Sequence, residues 1–248
     1  YVKNTLDIFG RDDINNLLSM FKDIEIKYYK LWIASSNVFF HVFNRAQINQ
    51  NEELLEEIRK VMQTYVNNPA FDTAFEILKK HKYVIISGIP GIGKSTLAKA
   101  LLFHFGNDGF EINEITSVER GRRIYDSKKK QIFFLDDFWG KNLFQASSET
   151  GSSQIIRFIE KLRSDSSSYL IITTREYIFR EALSYYEDLT IKNIEVSRCV
   201  IELEQYTRII KAEIFYNHIK GKNVPNECIE NLLVDKNYNL IINHDNYN

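Results

Sequence analysis

Positions 88 to 96 read Gly-Ile-Pro-Gly-Ile-Gly-Lys-Ser-Thr. The spacing GxxxxGK[ST] suits a polyphosphate. Gly88, Gly91 and Gly93 leave no side chain in the way of backbone N–H groups that curl around an anion, with Ile92 inside the same cradle, and a helix starting just after it aims its positive end at the same charge. Lys94 is then a mobile point charge for the β- and γ-phosphates. The Ser95 hydroxyl is a ligand for Mg²⁺, which keeps much of its water, and Thr96 falls at the α-phosphate. The competing reading is a glycine-rich turn that merely caps a helix. It is set aside because an apolar strand precedes the motif and an amphipathic helix follows it.

A metal held by Ser95 needs an acidic partner, and Ile132-Phe133-Phe134-Leu135-Asp136-Asp137 supplies one at the end of a hydrophobic run. Asp136 is expected to support Mg²⁺ and its water shell. Asp137 has two open roles, polarising an attacking water or capping the turn structurally. A third polar element, Thr174-Arg175, directly follows another apolar run, Tyr169–Thr173. A guanidinium at that point can sense a γ-phosphate, binding the triphosphate state more strongly than the diphosphate state; a plain surface arginine is the alternative. Lys94, Asp137 and Arg175 are therefore the candidate catalytic residues, and Ser95 and Asp136 the candidate metal ligands.

These residues can meet only if several elements bring them to one edge. Tyr83–Ser87 reads as a strand, and Leu97, Leu101, Leu102 and Phe105 mark the helix after the glycine loop. Further strands are expected at Phe110–Thr116, Gln131–Leu135, Tyr169–Thr173 and Ile191–Val196, with a helix at Gln154–Leu162. That alternation predicts an α/β fold, a parallel sheet flanked by helices, which binds ligands at strand C-termini. A whole strand between the glycine-loop helix and the Asp136 strand places the chain in the P-loop division with an inserted strand, away from kinases and small GTPases.

Flanking regions read as helical. Leu54, Leu55, Ile58, Val61, Met62 and Tyr65 form one apolar stripe, with Asn49 and Glu52 as its capping box, and the pattern extends back to Asp12. The aromatic stretch Lys27–Phe43 reads as core or interdomain packing. Pro69 marks a break, followed by helical spacing of Phe71, Ala74, Phe75 and Leu78. Beyond the sheet, Leu203, Tyr206, Ile210 and Ile214 mark a helix that opens a helical tail. The expected division is residues 1–66 as a helical N-terminal region, 67–200 as the P-loop NTPase core, and 201–248 as a mostly helical region. The chain opens at Tyr1 and stops at Asn248, which reads as a piece of a longer protein.

Composition narrows the partners. The 248 residues are 44% hydrophobic and 26% charged, with 10 glycines and 3 prolines, so a packed globular fold is expected rather than disorder. A formal charge of -1 gives no global pull toward nucleic acid, and Lys128–Lys130 reads as a solvated turn. Cys199 and Cys228 have neither metal-site nor disulfide spacing, and the five histidines are dispersed. No leader pattern and no apolar run near the ~18 residues of a membrane span is found, so a cytoplasmic protein is expected.

With the glycine loop, LDDFW and ITTR in this order, the chain resembles the STAND class of signal-transduction ATPases, related to NB-ARC domains, over about Phe71–Arg175. The runs YVIISGIPGIGKSTLA, FFLDDFWG, LIITTREYIFREA and INHDNYN are similar to the bacterial novel STAND NTPase family three, through most of the chain. That resemblance implies ATP or ADP with Mg²⁺ as ligands and an adenine bordered by residues near Pro69–Phe71. It also implies that residues 201–248, the helical tail from Leu203, form a lid or winged-helix-like element, together with slow hydrolysis and a place between an effector and a sensor, with nucleotide-dependent self-association in antiviral defence. The GLPLA pattern of NB-ARC lids is not found, Gly221–Pro225 being a loose echo, and the proline-arginine pair that usually follows NYN lies past Asn248. An AAA+-like ATPase that remodels nucleic acid or protein is the alternative, although such enzymes place glutamate where Asp137 stands. A helical scaffold with a vestigial site is a third reading, disfavoured by intact Lys94, Ser95, Asp136 and Asp137.

Overall fold

The computed structural model describes residues 20, 52–139, 150–164, 167–185, 198–200, 206–220, 222 and 224–244. The aromatic stretch Lys27–Phe43, the Asn49 cap, the expected strand Ile191–Val196 and the end of the INHDNYN run lie outside them.

The first described helix, α1 (Glu52–Thr64), buries Leu54, Ile58 and Met62, one side chain per turn on the expected stripe. Residues 65–68 are non-helical, so the break expected at Pro69 is present just ahead of α2 (Pro69–His81). Asn68 caps the helix by accepting from the Ala70 N–H at 3.0 Å, and Pro69 takes the first helical position, where its missing N–H costs nothing. Lys82 closes α2 in a left-handed conformation, its N–H bonded to the Leu78 carbonyl at 2.9 Å. The chain then enters β1 (Tyr83–Gly88), the glycine loop and α3 (Lys94–Asn107).

The remaining elements alternate as expected: β2 (Glu111–Glu114), α4 (Val118–Ile124), β3 (Gln131–Leu135), α5 (Thr150–Ser164), β4 (Ser168–Arg175), α6 (Glu176–Tyr185) and β5 (Arg198–Val200). Two of these helices are additions to the sequence reading. Ser117 caps α4 by accepting from the Arg120 N–H, and α6 starts on the residue after β4 with no turn between. The five strands among the described residues form one parallel sheet in the order β2-β3-β4-β1-β5. The fold is thus α/β, a parallel sheet with helices on both faces.

Alternation along the strands builds the two faces. Val84, Ile86, Ile112, Ile132, Phe134 and Ile171 pack against α1, α2 and α3 in one core. Ile85, Phe133, Leu135, Leu170 and Ile172 meet α4, α5 and α6 in the other. In the second core Gly121 is buried where α4 meets α5; a Cβ there would stand 2.7 Å from Ile115 Cδ1 and 3.2 Å from the Phe158 ring. Gly121→Ala is expected to lower Tm: overpacking costs about 1–3 kcal/mol, and better helix propensity returns at most about 1 kcal/mol. An unchanged or raised Tm in a thermal melt would mean that Ile115 and Phe158 yield freely.

After β5 come α7 (Arg208–Lys220), α8 (Asn226–Leu233), a 3₁₀ turn (Val234–Lys236) and α9 (Tyr238–Ile242). Tyr206 is not on a helix as its spacing predicts. Thr207 Oγ1 accepts from the Ile210 N–H at 3.3 Å and caps α7, which leaves Tyr206 outside and free to turn toward the sheet. No helix among the described residues is long and apolar enough to cross a membrane.

Candidate functional site

Strand register decides which residues meet. β1 and β4 pair Gly88 with Arg175, so the start of the glycine loop lies beside the arginine. β3 and β4 pair Leu135 with Ile172, so the next residues, Asp136 and Thr173, also come level. The strand between β1 and β3 is β4, and it carries Arg175 into the gap between the phosphate loop and the acidic pair.

The loop has the backbone its glycines permit. Gly91 has φ +81° and Gly93 φ +97°, and Gly93 precedes α3 with no side chain capping the helix, so the first-turn N–H groups face the loop. Lys94 Nζ donates to the Ile89 carbonyl at 2.8 Å. Burial pulls the Lys94 ammonium below the ordinary lysine range; the Asp137 and Asp136 carboxylates oppose the fall and Arg175 adds to it. Thr96 lines the cavity described below.

The acidic pair is tightly held. Ser95 Oγ donates to Asp136 Oδ1 at 2.9 Å, and Thr173 Oγ1 donates to the same oxygen at 2.6 Å. The Asp137 N–H in turn donates to Thr173 Oγ1 at 2.9 Å. Asp137 adopts φ +48°, a left-handed conformation that aspartate tolerates better than most residues. Its Oδ2 lies 3.6 Å from Arg175 Nη2, and its buried Oδ1 has no hydrogen-bond partner among the described residues. Arg175 Nη1 also donates to the Tyr177 hydroxyl at 3.3 Å. The structure therefore brings Gly88, Lys94, Ser95, Asp136, Asp137 and Arg175 to one strand-end crevice.

The motif reading gave no role to Tyr177 or to three further residues with site contacts. Thr173 is one. Glu176 is another: it accepts from Ser87 Oγ at 2.7 Å, from Arg180 Nε at 2.9 Å and from Arg198 Nη1 at 2.9 Å, tying the ends of β1, β4 and β5 together. Tyr206 is the third, its hydroxyl donating to the Ile92 carbonyl at 2.9 Å and lying 3.2 Å from where a Cβ on Gly93 would sit. A polar residue in an otherwise apolar strand end was the available signal for Thr173; nothing in the sequence pointed Tyr206 at the loop.

Glu176 carries a pH prediction. Burial raises its carboxyl pKa, but the hydrogen bonds from Ser87 and Arg180 and the charges of Arg198 and Arg180 outweigh burial and hold it below the ordinary carboxylate range. Because the folded pKa lies under the unfolded one, the stabilisation is complete above the unfolded value of about 4.3 and is lost as pH falls through the folded value. The Tm advantage of wild type over Glu176→Gln should be present at about pH 6 and shrink below about pH 4.3. A difference in Tm that does not change with pH would assign the residue a purely steric role.

Beside the loop lies a cavity of about 380 Å³, lined among others by Tyr65, Val66, Asn68, Thr96, Tyr206 and His218. Its size is within the range of small-molecule sites. The lining comes from residues just ahead of the expected Pro69–Phe71 segment, while Ala70 and Phe71 turn into the core.

These features fit a nucleoside polyphosphate with its magnesium ion. A hydroxyl and a carboxylate, Ser95 and Asp136, form a hard oxygen donor set, and the glycine loop leaves open the space a phosphate needs. The orphaned Oδ1 of Asp137 faces no donor among the described residues.

The sequence profile described as Novel STAND NTPase 3 matches residues 65–221. No curated protein matches significantly. Among solved structures, C. elegans PCH-2 matches at 17% identity and a TM-score of 0.30, over 55% of this chain and 40% of its own. The DnaC helicase loader matches at 17% identity and a TM-score of 0.32, over 65% of this chain and 99% of its own. This chain thus spans two-fifths of the length of the PCH-2 chain.

Proposed function

The chain belongs to the novel STAND NTPase 3 family, and from that premise we propose that it is an ATP-binding switch module that hydrolyses slowly. The observation that carries the reading is the convergence of Lys94, Ser95, Asp136, Asp137 and Arg175 at the ends of three adjacent parallel strands.

In this reading the backbone of Gly88–Gly93 and the first turn of α3 bind the phosphates, and Lys94 leaves the Ile89 carbonyl to meet the β- and γ-oxygens. Ser95 and Asp136 would hold Mg²⁺, which when bound would neutralise phosphate charge. Arg175 has a choice of partners, Asp137 or a terminal phosphate. When Arg175 turns to the phosphate, Asp137 is released to orient a water. That exchange gives the triphosphate and diphosphate states different contacts, the minimum any switch requires. Tyr206 and α7 follow the loop through the bond to Ile92, which supplies a path from phosphate to tail. Tyr65, Val66 and Asn68 are assigned to the adenosine. In the full protein the module couples a sensor to an effector by nucleotide-dependent oligomerisation, in antiviral defence.

The test is a thermal shift with Mg²⁺ and ATP, ADP, GTP or GDP in turn, followed by light scattering for assembly in ATP against ADP. Adenine-selective stabilisation with ATP-dependent assembly is expected. No shift with any nucleotide would sink the reading, since a ligand that binds only the folded state must stabilise it.

A further inference from the structure

Thr173 is 1% exposed, near the C-terminal end of β4, and is flanked by apolar strand residues on its N-terminal side. A hydroxyl has one proton to give. Here that proton goes to Asp136 Oδ1 at 2.6 Å, and a lone pair of the same oxygen receives the Asp137 N–H at 2.9 Å. One side chain therefore fixes both acidic residues, the first through its carboxylate and the second through its backbone. The second bond matters because Asp137 sits at φ +48°, where the chain has left the β3 ladder and its N–H needs another acceptor. Ser95 also donates to Asp136 Oδ1, but Ser95 is the residue expected to turn to the metal. Thr173 is then the partner that continues to hold the carboxylate.

We propose that Thr173 is the positioning residue of this site, setting Asp136 for a divalent cation and Asp137 for the attacking water, with a nucleoside triphosphate–Mg²⁺ complex as the ligand served. The inference rests on the ATP-switch reading above. Thr173 has no direct contact with ligand in this role; it acts by aiming Asp136, as outer-shell partners of metal ligands do.

The test uses the full chain as wild type, Thr173→Val and Thr173→Ser. A fluorescent ATP analogue reports affinity in EDTA and across a Mg²⁺ titration, and single-turnover phosphate release reports hydrolysis. For Thr173→Val, affinity in EDTA should stay within about twofold of wild type, while the Mg²⁺ needed for half-maximal binding rises, and hydrolysis falls, by about 10–100-fold. Thr173→Ser keeps the hydroxyl and should restore both to within about threefold; it also keeps the test alive if the valine variant does not fold. An unchanged Mg²⁺ requirement in Thr173→Val overturns the proposal. So does an equal loss of affinity with and without Mg²⁺, which would mean general collapse of the loop, or a serine variant as impaired as valine, which would place the effect in the methyl group. Wild-type binding that is insensitive to Mg²⁺ would overturn the switch reading together with this inference, whereas wild type that binds and hydrolyses normally beside a silent Thr173→Val removes this inference alone.

Discussion

Lys94→Ala is expected to abolish the thermal stabilisation that ATP and Mg²⁺ give the wild-type protein. At a ligand concentration of 100 times Kd, one-site binding adds about 2.7 kcal/mol, which raises Tm by about 5–11 °C in a domain of this size. A 100-fold loss of affinity on removing the ammonium leaves about 0.4 kcal/mol at the same concentration, below what a melt resolves. The nucleotide-free protein should change far less. Within the protein Lys94 makes an exposed hydrogen bond to the Ile89 carbonyl, and such a bond is worth about 0.5–1.5 kcal/mol. The two melts together separate loss of a ligand contact from loss of fold. A variant that is still stabilised by ATP to the wild-type extent would place the nucleotide elsewhere.

Asp136→Asn is expected to give the second large effect. Asparagine keeps an acceptor oxygen for Ser95 and Thr173, so the hydrogen bonds that order the strand end persist and Tm without nucleotide should hold within about 2 °C. What disappears is the negative charge that supports the cation. Charge stabilisation of this kind is worth several kcal/mol in the transition state, and about 3–4 kcal/mol corresponds to a 10²–10³-fold slower single-turnover hydrolysis. Hydrolysis at the wild-type rate would remove Asp136 from the metal site and leave Asp137 or a residue outside the crevice as the cation's partner.

Much of this arrangement could be read in advance, because strand cores and the glycine loop announce themselves by residue type. β3 has the bounds its apolar run predicts, Gln131–Leu135, and β1 extends only one residue past the expected Ser87. What escaped notice depends on neighbours rather than on local pattern. The hydroxyl of Thr173 gains its meaning only because β4 inserts between β1 and β3, a fact of sheet order that periodicity along one strand cannot express. Tyr206 shares the spacing of Ile210 and Ile214, yet Thr207 caps the helix and puts the tyrosine outside it. α4 is short and rich in charge, with Arg120, Arg122 and Arg123 surrounding Gly121, so its apolar stripe is too brief to stand out. α6 follows β4 without a turn residue, and no glycine or proline marks the change of period between Arg175 and Glu176.

The sheet order also sets a timetable for the nascent chain. β1 has two neighbours, β4 and β5, and both are synthesised after it. Lys82, at the entrance to β1, and Tyr169 of β4 hydrogen-bond across a separation of 87 positions. At about 5–20 residues per second, a ribosome needs roughly 4–17 s to cover that interval. During it the YVIISG strand has both edges open, a template for wrong pairing that favours chaperone capture. The phosphate-binding motif is complete in sequence at Thr96, but the cradle has no Arg175, Asp136 or Thr173 beside it until β4 emerges. The loop and the acidic pair can therefore be brought level only after β4, the strand between them, has been synthesised.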